Sequence, residues 1–313
     1  LKLPVTVILL TLNEEYHLRQ VLPEICSWAS DVFIVDSLST DATIDLALEH
    51  GAQIVQRPFT TFGDQWNWAV QHAPKNPWTM KLDPDERVSP ELLEEMRQRL
   101  AAEPGANGFR FRLRFWFMGN PLNQYLQDVR LWRTGTLTFS DSVVNEAPVV
   151  EGEIEEMRGL IEHLDSRDLH HWWEKQNLYS TMRAIEMVKK HKFAVKPRLL
   201  GDSRQRRMFI KQFFFRMPLR YTLLRLYLGI VKGAFFCGYP GRTWAYLRTV
   251  VYRMAEQKAW EIRKTGRIPP VPRAPHGDYD PRVPGVRPDD SVEGASSDSQ
   301  PIATRSRSDA PLS

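Results

Sequence analysis

Val5-Thr-Val-Ile-Leu-Leu-Thr-Leu-Asn-Glu-Glu15 starts as a run of β-branched and aliphatic residues and stops in three polar ones. Its apolar part, Val5 to Leu12, is about half the length that a membrane span needs, so it reads as a buried strand and not as a signal peptide. Glu14 to Ala29 follows with Leu18, Val21, Leu22 and Ile25 at helical spacing, and Val32-Phe-Ile-Val35 returns to a strand. Thr40 to His50 reads as a second helix, opened by a Ser/Thr/Asp cluster and closed by Gly51, ahead of the strand Ala52-Gln-Ile-Val55. Trp78-Thr-Met-Lys-Leu82 is a further strand, and Ser89-Pro90-Glu91 opens a helix with a cap residue and a proline in the first turn. Such a βαβαβ series implies a mainly parallel sheet with right-handed crossovers and a ligand crevice at the carboxyl ends of its strands.

Farther along, Phe109 to Phe117 alternates arginine with aromatic and aliphatic residues, the period-2 pattern of a strand with one wet face. Trp172 to Lys190 is helical, with Leu178, Met182, Ile185 and Val188 as its apolar stripe. The 313 residues are 42% hydrophobic and 26% charged, ordinary for a folded protein with a sizeable core. Cys26 and Cys237 have neither disulfide-framework nor metal-site spacing, which suits a reducing cytosol. The net charge of +4 hides an asymmetry: Lys196 to Arg267 holds 17 Lys/Arg against 3 Asp/Glu. Within that stretch, Met208 to Trp260 is rich in aromatics and leucine, but arginines and lysines interrupt every run before it reaches spanning length. Nine of the 22 prolines fall in the last 47 residues among Ser, Asp, Arg and Gly, so 267–313 reads as a disordered tail.

The strongest chemical feature is Asp83-Pro84-Asp85-Glu86, placed directly after a strand. Two carboxylates at i and i+2 can project to one side and share a hard divalent cation such as Mg2+ or Mn2+, which in turn binds phosphates. The plainer reading is a solvated acidic turn before a helix, but a strand's carboxyl end is where doubly wound folds place ligands. Asn13-Glu14-Glu15 and Asp36 lie on the same expected edge, where carboxylates either accept hydrogen bonds from a base or ribose or cap the next helix. The first turn, Leu10-Thr-Leu-Asn-Glu-Glu15, has no glycine, which argues against nicotinamide and Walker-type phosphate binding.

Four segments together resemble the successive signatures of family 2 glycosyltransferases with the GT-A fold: Val7-Ile-Leu-Leu-Thr-Leu-Asn-Glu-Glu15, Val35-Asp-Ser-Leu-Ser-Thr-Asp-Ala-Thr43, Phe62-Gly-Asp-Gln-Trp-Asn67 and Leu82-Asp-Pro-Asp-Glu-Arg-Val-Ser89. Within that family the chain is most similar to the bacterial lipopolysaccharide core β-1,4-glucosyltransferase-like group. The likeness runs over about residues 4–190, and more loosely to about 265. It implies a GT-A Rossmann-like, mostly parallel mixed α/β sheet flanked by helices, then a basic amphipathic helical region and the disordered tail. The corresponding division is 1–118 for the nucleotide-sugar half, 119–165 for the acceptor half, 166–266 for the basic helical region and 267–313 for the tail.

The resemblance also implies roles. Asp85 and Asp83 match the D-x-D that holds the metal, with Asp83 also reaching the ribose, and His163 matches a histidine that completes the metal site. Thr11, Asn13, Glu14, Glu15, Asp36, Gln65 and Asn67 match nucleotide-binding positions. Glu146 matches the acidic position of the catalytic base, with Asp128 as second choice. Leu38 stands where glycine is usual, Asn145 where a histidine precedes the glutamate, and Trp66 where a basic residue is usual, which implies either that Arg130 or Arg133 meets the diphosphate instead or that donor specificity is altered. His170-His171 ahead of Trp172 reads as helix-start packing. The implied partners are a UDP-sugar, a lipid-linked saccharide or lipopolysaccharide-core acceptor, and an anionic membrane surface on the cytoplasmic side.

Leu223, Leu224, Tyr227, Leu228 and Val231, with flanking arginines, have the spacing of a helix lying in the headgroup layer, with Phe213-Phe214-Phe215 and Phe235-Phe236 as further anchors. The alternative is an amphipathic helical pair packed on the catalytic domain. Nucleic acid is disfavoured, because the aromatics follow helical spacing instead of forming an exposed stacking platform. Two other functions stay open at this level: a non-catalytic membrane-binding protein with a relict nucleotide pocket, and a sugar nucleotidyltransferase, the latter disfavoured by the missing glycine-rich loop.

Overall fold

The computed structural model describes residues 2–139, 148–189, 217–269, 280 and 282–285. The expected alternation is present: β1 (Leu3–Thr11), α1 (Glu15–Trp28), β2 (Ala29–Asp36), α2 (Thr43–Glu49), β3 (Gln53–Gln56), α3 (Phe62–His72), β4 (Trp78–Lys81), β5 (Glu86–Val88) and α4 (Pro90–Ala101). Then come β6 (Gly108–Phe117), β7 (Asn120–Arg133), the short pair β8 (Leu137–Phe139) and β9 (Pro148–Val150), β10 (Ile154–His163) and α5 (Leu169–Lys189).

Eight strands form one mixed sheet in the order β3-β2-β1-β4-β7-β6-β10-β5. The pairs β3·β2, β2·β1, β1·β4 and β6·β10 are parallel, and β4·β7, β7·β6 and β10·β5 antiparallel. Two antiparallel steps separate β4 from β6, so β6 and β10 run the same way as β1, β2 and β4. The carboxyl ends of all five therefore lie along one edge.

Alternation along the strands builds the two faces. Val5, Val7 and Leu9 of β1 and Val32 and Ile34 of β2 enter one core with α1, α2 and α4. Ile8, Phe33 and Val35 enter the other, against Trp66 of α3 and Trp132. α4 begins as its sequence indicates, with Ser89 Oγ accepting from the Leu92 N–H at 3.2 Å and Pro90 in the first turn. α2 starts later than its spacing suggests because Ser39, Thr40 and Asp41 are engaged with the loop after β1.

The basic region is only partly a helix of the expected kind. Arg220–Leu226 is α-helical, Tyr227–Val231 is a π-helical turn, Ala234–Phe236 a 3-10 turn, and Gly238–Thr265 a long α-helix. Gly229 lies against the Phe235 ring, closely enough that a Cβ there would overlap it. The long helix packs on α5 through Ala184, Ala259 and Ile262, and on the β6–β7 end through Phe117, Leu122, Trp172, Leu247 and Val251. Lys258 Nζ donates to Asn177 Oδ1 at 2.6 Å and Arg220 pairs with Glu256 at 2.6 Å, so part of the cationic charge serves packing between helices. Phe213, Phe214 and Phe215 lie outside the described residues.

Part of the stretch read as a disordered tail is structured. Val283 is buried in the first core, Gly285 forms a parallel bridge to Gln56, the Gln56 N–H donates to Pro284 O at 3.2 Å, and Arg282 pairs with Asp45 at 2.6 Å. β3 is an edge strand, and this short strap pairs with its last residue, Gln56. Composition alone does not reveal it, because one valine among prolines satisfies an edge that only the folded sheet creates.

Candidate functional site

Thr11, Asp36, the loop after β4 and His163 end up on the shared carboxyl edge because β1, β2, β4 and β10 all point there. Thr11 Oγ1 donates to Asp36 Oδ1 at 2.8 Å, and Asp36, fully buried, also accepts from the Ser39 N–H at 2.8 Å. The Asn13 N–H donates to Ser39 Oγ, and Asn13 Oδ1 accepts from the Thr40 N–H, both at 2.8 Å. Two loops are thus knitted into one wall. Leu38, which stands where glycine was expected, is buried and left-handed with φ +67°. The backbone shape remains that of a glycine turn, at a cost of about 1–2 kcal/mol for a side chain held there.

The remaining nucleotide candidates divide. Glu15 turns to Arg19 and the Ala42 N–H, away from the crevice, and Glu14 faces Asp83 and Asp85. Burial, reinforced by Asp85, pushes the Glu14 carboxyl up to about 8. Gln65 is buried, its Nε2 donating to Ser37 Oγ at 3.4 Å and Arg57 O at 3.3 Å. Asn67 holds β8 instead, bonding the Phe139 carbonyl at 3.0 Å and N–H at 2.8 Å. Trp66 is buried beside Phe139, and Lys81 Nζ lies 4.5 Å from the Trp66 ring centroid, so β4 supplies a cation next to the position where the sequence lacks one.

The structure places the two arginines offered for the diphosphate in different surroundings. Arg130, 5% exposed, pairs with the fully buried Glu86 at 2.7 Å, with Asp83 at 3.4 Å and with Asp128 at 3.5 Å. Arg133 pairs across from Trp78, at the amino end of β4, and donates to the carbonyls of Ala106 and Pro104, so it lies at the opposite edge of the sheet. Register explains the outcome: β7 runs antiparallel to β4, so moving from Asp128 to Arg133 leads away from the crevice. Asp128 sits among the buried charges around Arg130, and burial raises its carboxyl. Glu146 and Asn145 lie outside the described residues.

Asp85, His163 and Asp165 converge, with one ligand atom of each lying within 4.8 Å of the others. Asp85 Oδ1 and His163 Nδ1 are shielded from solvent, have no hydrogen-bond partner among the described residues and lie 3.7 Å apart. Buried polar atoms seldom go unpaired, and two carboxylates with one imidazole are a donor set suited to Mg2+ or Mn2+. The residues therefore fit a divalent cation. Asp83 stands outside this trio, because its carboxylate is turned to Arg130; Asp165 takes the third place. Burial opposes ionisation of Asp83, but Arg130 and Lys81 outweigh it and hold the carboxyl down to about 2.

Lys175 of α5 balances the trio's charge, its Nζ lying 2.8 Å from Asp165 and 3.3 Å from Asp85. Burial disfavours charge on His163, yet Asp85, Glu86 and Asp165 outweigh it and raise the imidazole to about 9. Reading the sequence missed Asp165, Lys175 and the Glu86–Arg130 pair. Asp165 had a usable signal, since it lies at i+2 from His163 and can share its side. Lys175 is one lysine in a helix and carried none. The histidine pair falls at the start of α5, as expected: the His171 N–H is capped by Asp168 at 2.7 Å, and His170 is exposed beside Glu174.

The lipopolysaccharide core biosynthesis glycosyltransferase LpsC of Rhizobium meliloti (strain 1021) is 29% identical over 251 residues, which cover 77% of this chain and 86% of LpsC. The uncharacterized glycosyltransferase RT0209 of Rickettsia typhi is 26% identical over 230 residues, 68% of this chain and 77% of that one. Among solved structures, glucosyl-3-phosphoglycerate synthase from Mycobacterium tuberculosis, in complex with Mn2+, UDP and glucosyl-3-phosphoglycerate, aligns at 21% identity with a TM-score of 0.31. The alignment covers 36% of this chain and 44% of that one, so the chain spans less than half of the synthase. Residues 6–137 match the family model Glycosyl transferase family 2. The strand edge that gathers Thr11, Asp36, Asp83 and Asp85 lies inside that match, so it is the crevice-bearing part of the chain that is similar to the family 2 glycosyltransferases.

Proposed function

We propose that the chain is a metal-dependent, inverting glycosyltransferase that moves glucose from UDP-glucose to a lipid-linked saccharide or lipopolysaccharide-core acceptor at the cytoplasmic face of a membrane. The observation that carries this reading is the convergence of Asp85, His163 and Asp165 at the crevice edge of a domain similar to the family 2 glycosyltransferases. The lipopolysaccharide assignment draws its support from the name of the relative LpsC.

Asp85, His163 and Asp165 would hold Mg2+ or Mn2+, which when bound supplies positive charge to the departing diphosphate. Thr11, Asp36 and Glu14 would line the uridine and ribose, and Lys81, rather than Arg130 or Arg133, is the cation nearest the family's basic position. In the inverting step the acceptor oxygen forms its bond to C1 as the bond to the diphosphate breaks on the opposite side. A carboxylate, Glu146 or else Asp128, takes the acceptor proton.

Membrane contact draws on the surface of the helical region. Among the described residues no helix is long and apolar enough to cross a membrane. Leu219, Ile230, Val231, Phe236 and Tyr239 are all more than half exposed, and Arg225, Lys232 and Arg242 are exposed among them. Apolar anchors beside cations suit an anionic headgroup layer, each basic residue adding on the order of 1 kcal/mol.

The test is nucleoside diphosphate release from UDP-, GDP- and dTDP-sugars with Mn2+ or Mg2+ and a bacterial glycolipid extract. Extract-dependent release from UDP-glucose, abolished by EDTA and by Asp85→Ala, is the expected outcome. Release that survives both would overturn the metal assignment, and no release from any donor despite UDP binding would favour a binding protein.

A further inference from the structure

A cavity of about 160 Å³ opens beside the metal-ligating trio, between the start of α1, the β6–β7 turn and the segment after β10. Its walls include Tyr16, Trp116 and Phe117, with Gln20, Ser166 and Arg167 as polar members. Tyr16 follows Glu14 and Glu15 directly, Ser166 follows Asp165, and the intervening Leu164 N–H donates to Asp85 O at 2.8 Å. The cavity and the trio thus share a wall.

Its construction is that of a ring-binding site. Trp116 is oriented, because its indole N–H donates to Glu162, whose carboxylate also accepts from Arg114 Nε at 2.9 Å. Phe117 is buried against Trp172, with ring centroids 5.5 Å apart, and forms a firm floor. Tyr16 is 46% exposed and stands at the mouth. Ser166 Oγ is shielded from solvent and has no hydrogen-bond partner among the described residues. Pre-set aromatic walls with a few convergent polar groups are the composition of a small-molecule site. A closed cavity of roughly 150 Å³ already admits one six-membered ring, and this one is open on a side where hydroxyl substituents can extend.

We propose that this cavity seats one pyranose ring of the acceptor, with Trp116 and Tyr16 against its C–H faces and Ser166, Gln20 and Arg167 on its hydroxyls. The proposal rests on the transferase reading above. Its lining residues are distinct from the Thr11, Asp36 and Ser39 of the nucleotide wall. Trp116 and Tyr16 are specificity residues in this scheme and do not touch the reacting atoms.

The test is saturation-transfer NMR on the full chain with methyl gluco-, galacto- and mannopyranosides at millimolar concentration in the presence of Mg2+, before and after addition of UDP. The expected result is transfer to the ring protons of at least one pyranoside, cut at least twofold by Tyr16→Ala and by Trp116→Ala. Trp260→Ala, at a residue 62% exposed toward the far end of the long helix, leaves it unchanged. UDP binding by the two cavity variants, measured by calorimetry, stays at the wild-type level and shows that they are folded. Absence of transfer from every pyranoside, equal transfer in both cavity variants, or displacement of the sugars by UDP would each overturn the proposal. Failure of the wild-type chain to bind UDP while pyranoside signals persist would instead sink the transferase reading and leave the sugar site standing.

Discussion

Replacing Arg130 with methionine separates two roles that the sequence leaves entangled. In the structure the guanidinium is 5% exposed and lies 2.7 Å from Glu86, whose side chain is fully buried. Asp83 and Asp128 are its other partners, at 3.4 and 3.5 Å. Removing the cation leaves a buried carboxylate without its partner, which costs about 3–5 kcal/mol. At about 2–4 °C per kcal/mol for a domain of this size, the melting temperature falls by roughly 6–20 °C. Glu86→Gln alone costs less, because Arg130 keeps two other carboxylates. Arg130→Met with Glu86→Gln recovers part of the loss, with a coupling energy of about 2 kcal/mol, inside the usual range for contacting residues. Urea denaturation of the four proteins measures the cycle, and calorimetric titration with UDP and Mg2+ runs alongside. UDP affinity in Arg130→Met changes by less than about threefold, under ~1 kcal/mol. Unchanged stability with lost UDP binding would refute the reasoning and put Arg130 on the diphosphate.

Four more outcomes are expected. Because Asp85, Glu86 and Asp165 raise His163 to about 9 from an ordinary 6.5, its contribution to stability is full below pH 6.5 and lost as pH rises through 9; thermal unfolding of the metal-free chain shows this decline, and His163→Gln flattens it. Mn2+ affinity runs the opposite way over the same window, rising with pH as the imidazole proton is released, which a titration by electron paramagnetic resonance follows. Val283→Ala, at a residue 6% exposed in the first core, costs about 1–3 kcal/mol and speeds proteolysis of the strap before it affects UDP binding; simultaneous loss of both would mean the strap supports the site. Ile230→Asp with Phe236→Asp reduces sedimentation with anionic liposomes at unchanged melting temperature, and equal sedimentation would remove the membrane contact from the proposed function.

Much of the fold was legible because it is written in local terms. The β-branched run before Asn13, the stripe Leu18–Val21–Leu22–Ile25 and the Ser89-Pro90 start each depend on periodicity or capping within a few residues. The D-x-D at a strand's carboxyl end pointed to the right edge, since parallel strands bring their ends together. Less of the site could be read. Arg130 and Arg133 are three residues apart, yet one lies among the carboxylates and the other at the far edge, a difference set by the direction of β7. Asn67 matched a nucleotide position and bonds β8 across 72 residues.

By itself the sequence determined the element alternation, the crevice edge and the carboxylates that reach it, because spacing, caps and turn composition act over short range. Tertiary structure alone decided which charges neutralise one another. Glu86 meets Arg130 across 44 residues and Lys175 meets Asp85 across 90. It also decided that a proline-rich segment straps an edge 224 residues away. The physical reason is common to all three. Burial makes an unpaired charge or backbone group costly, and the partner that satisfies it is whichever group the packed sheet and helices bring within reach.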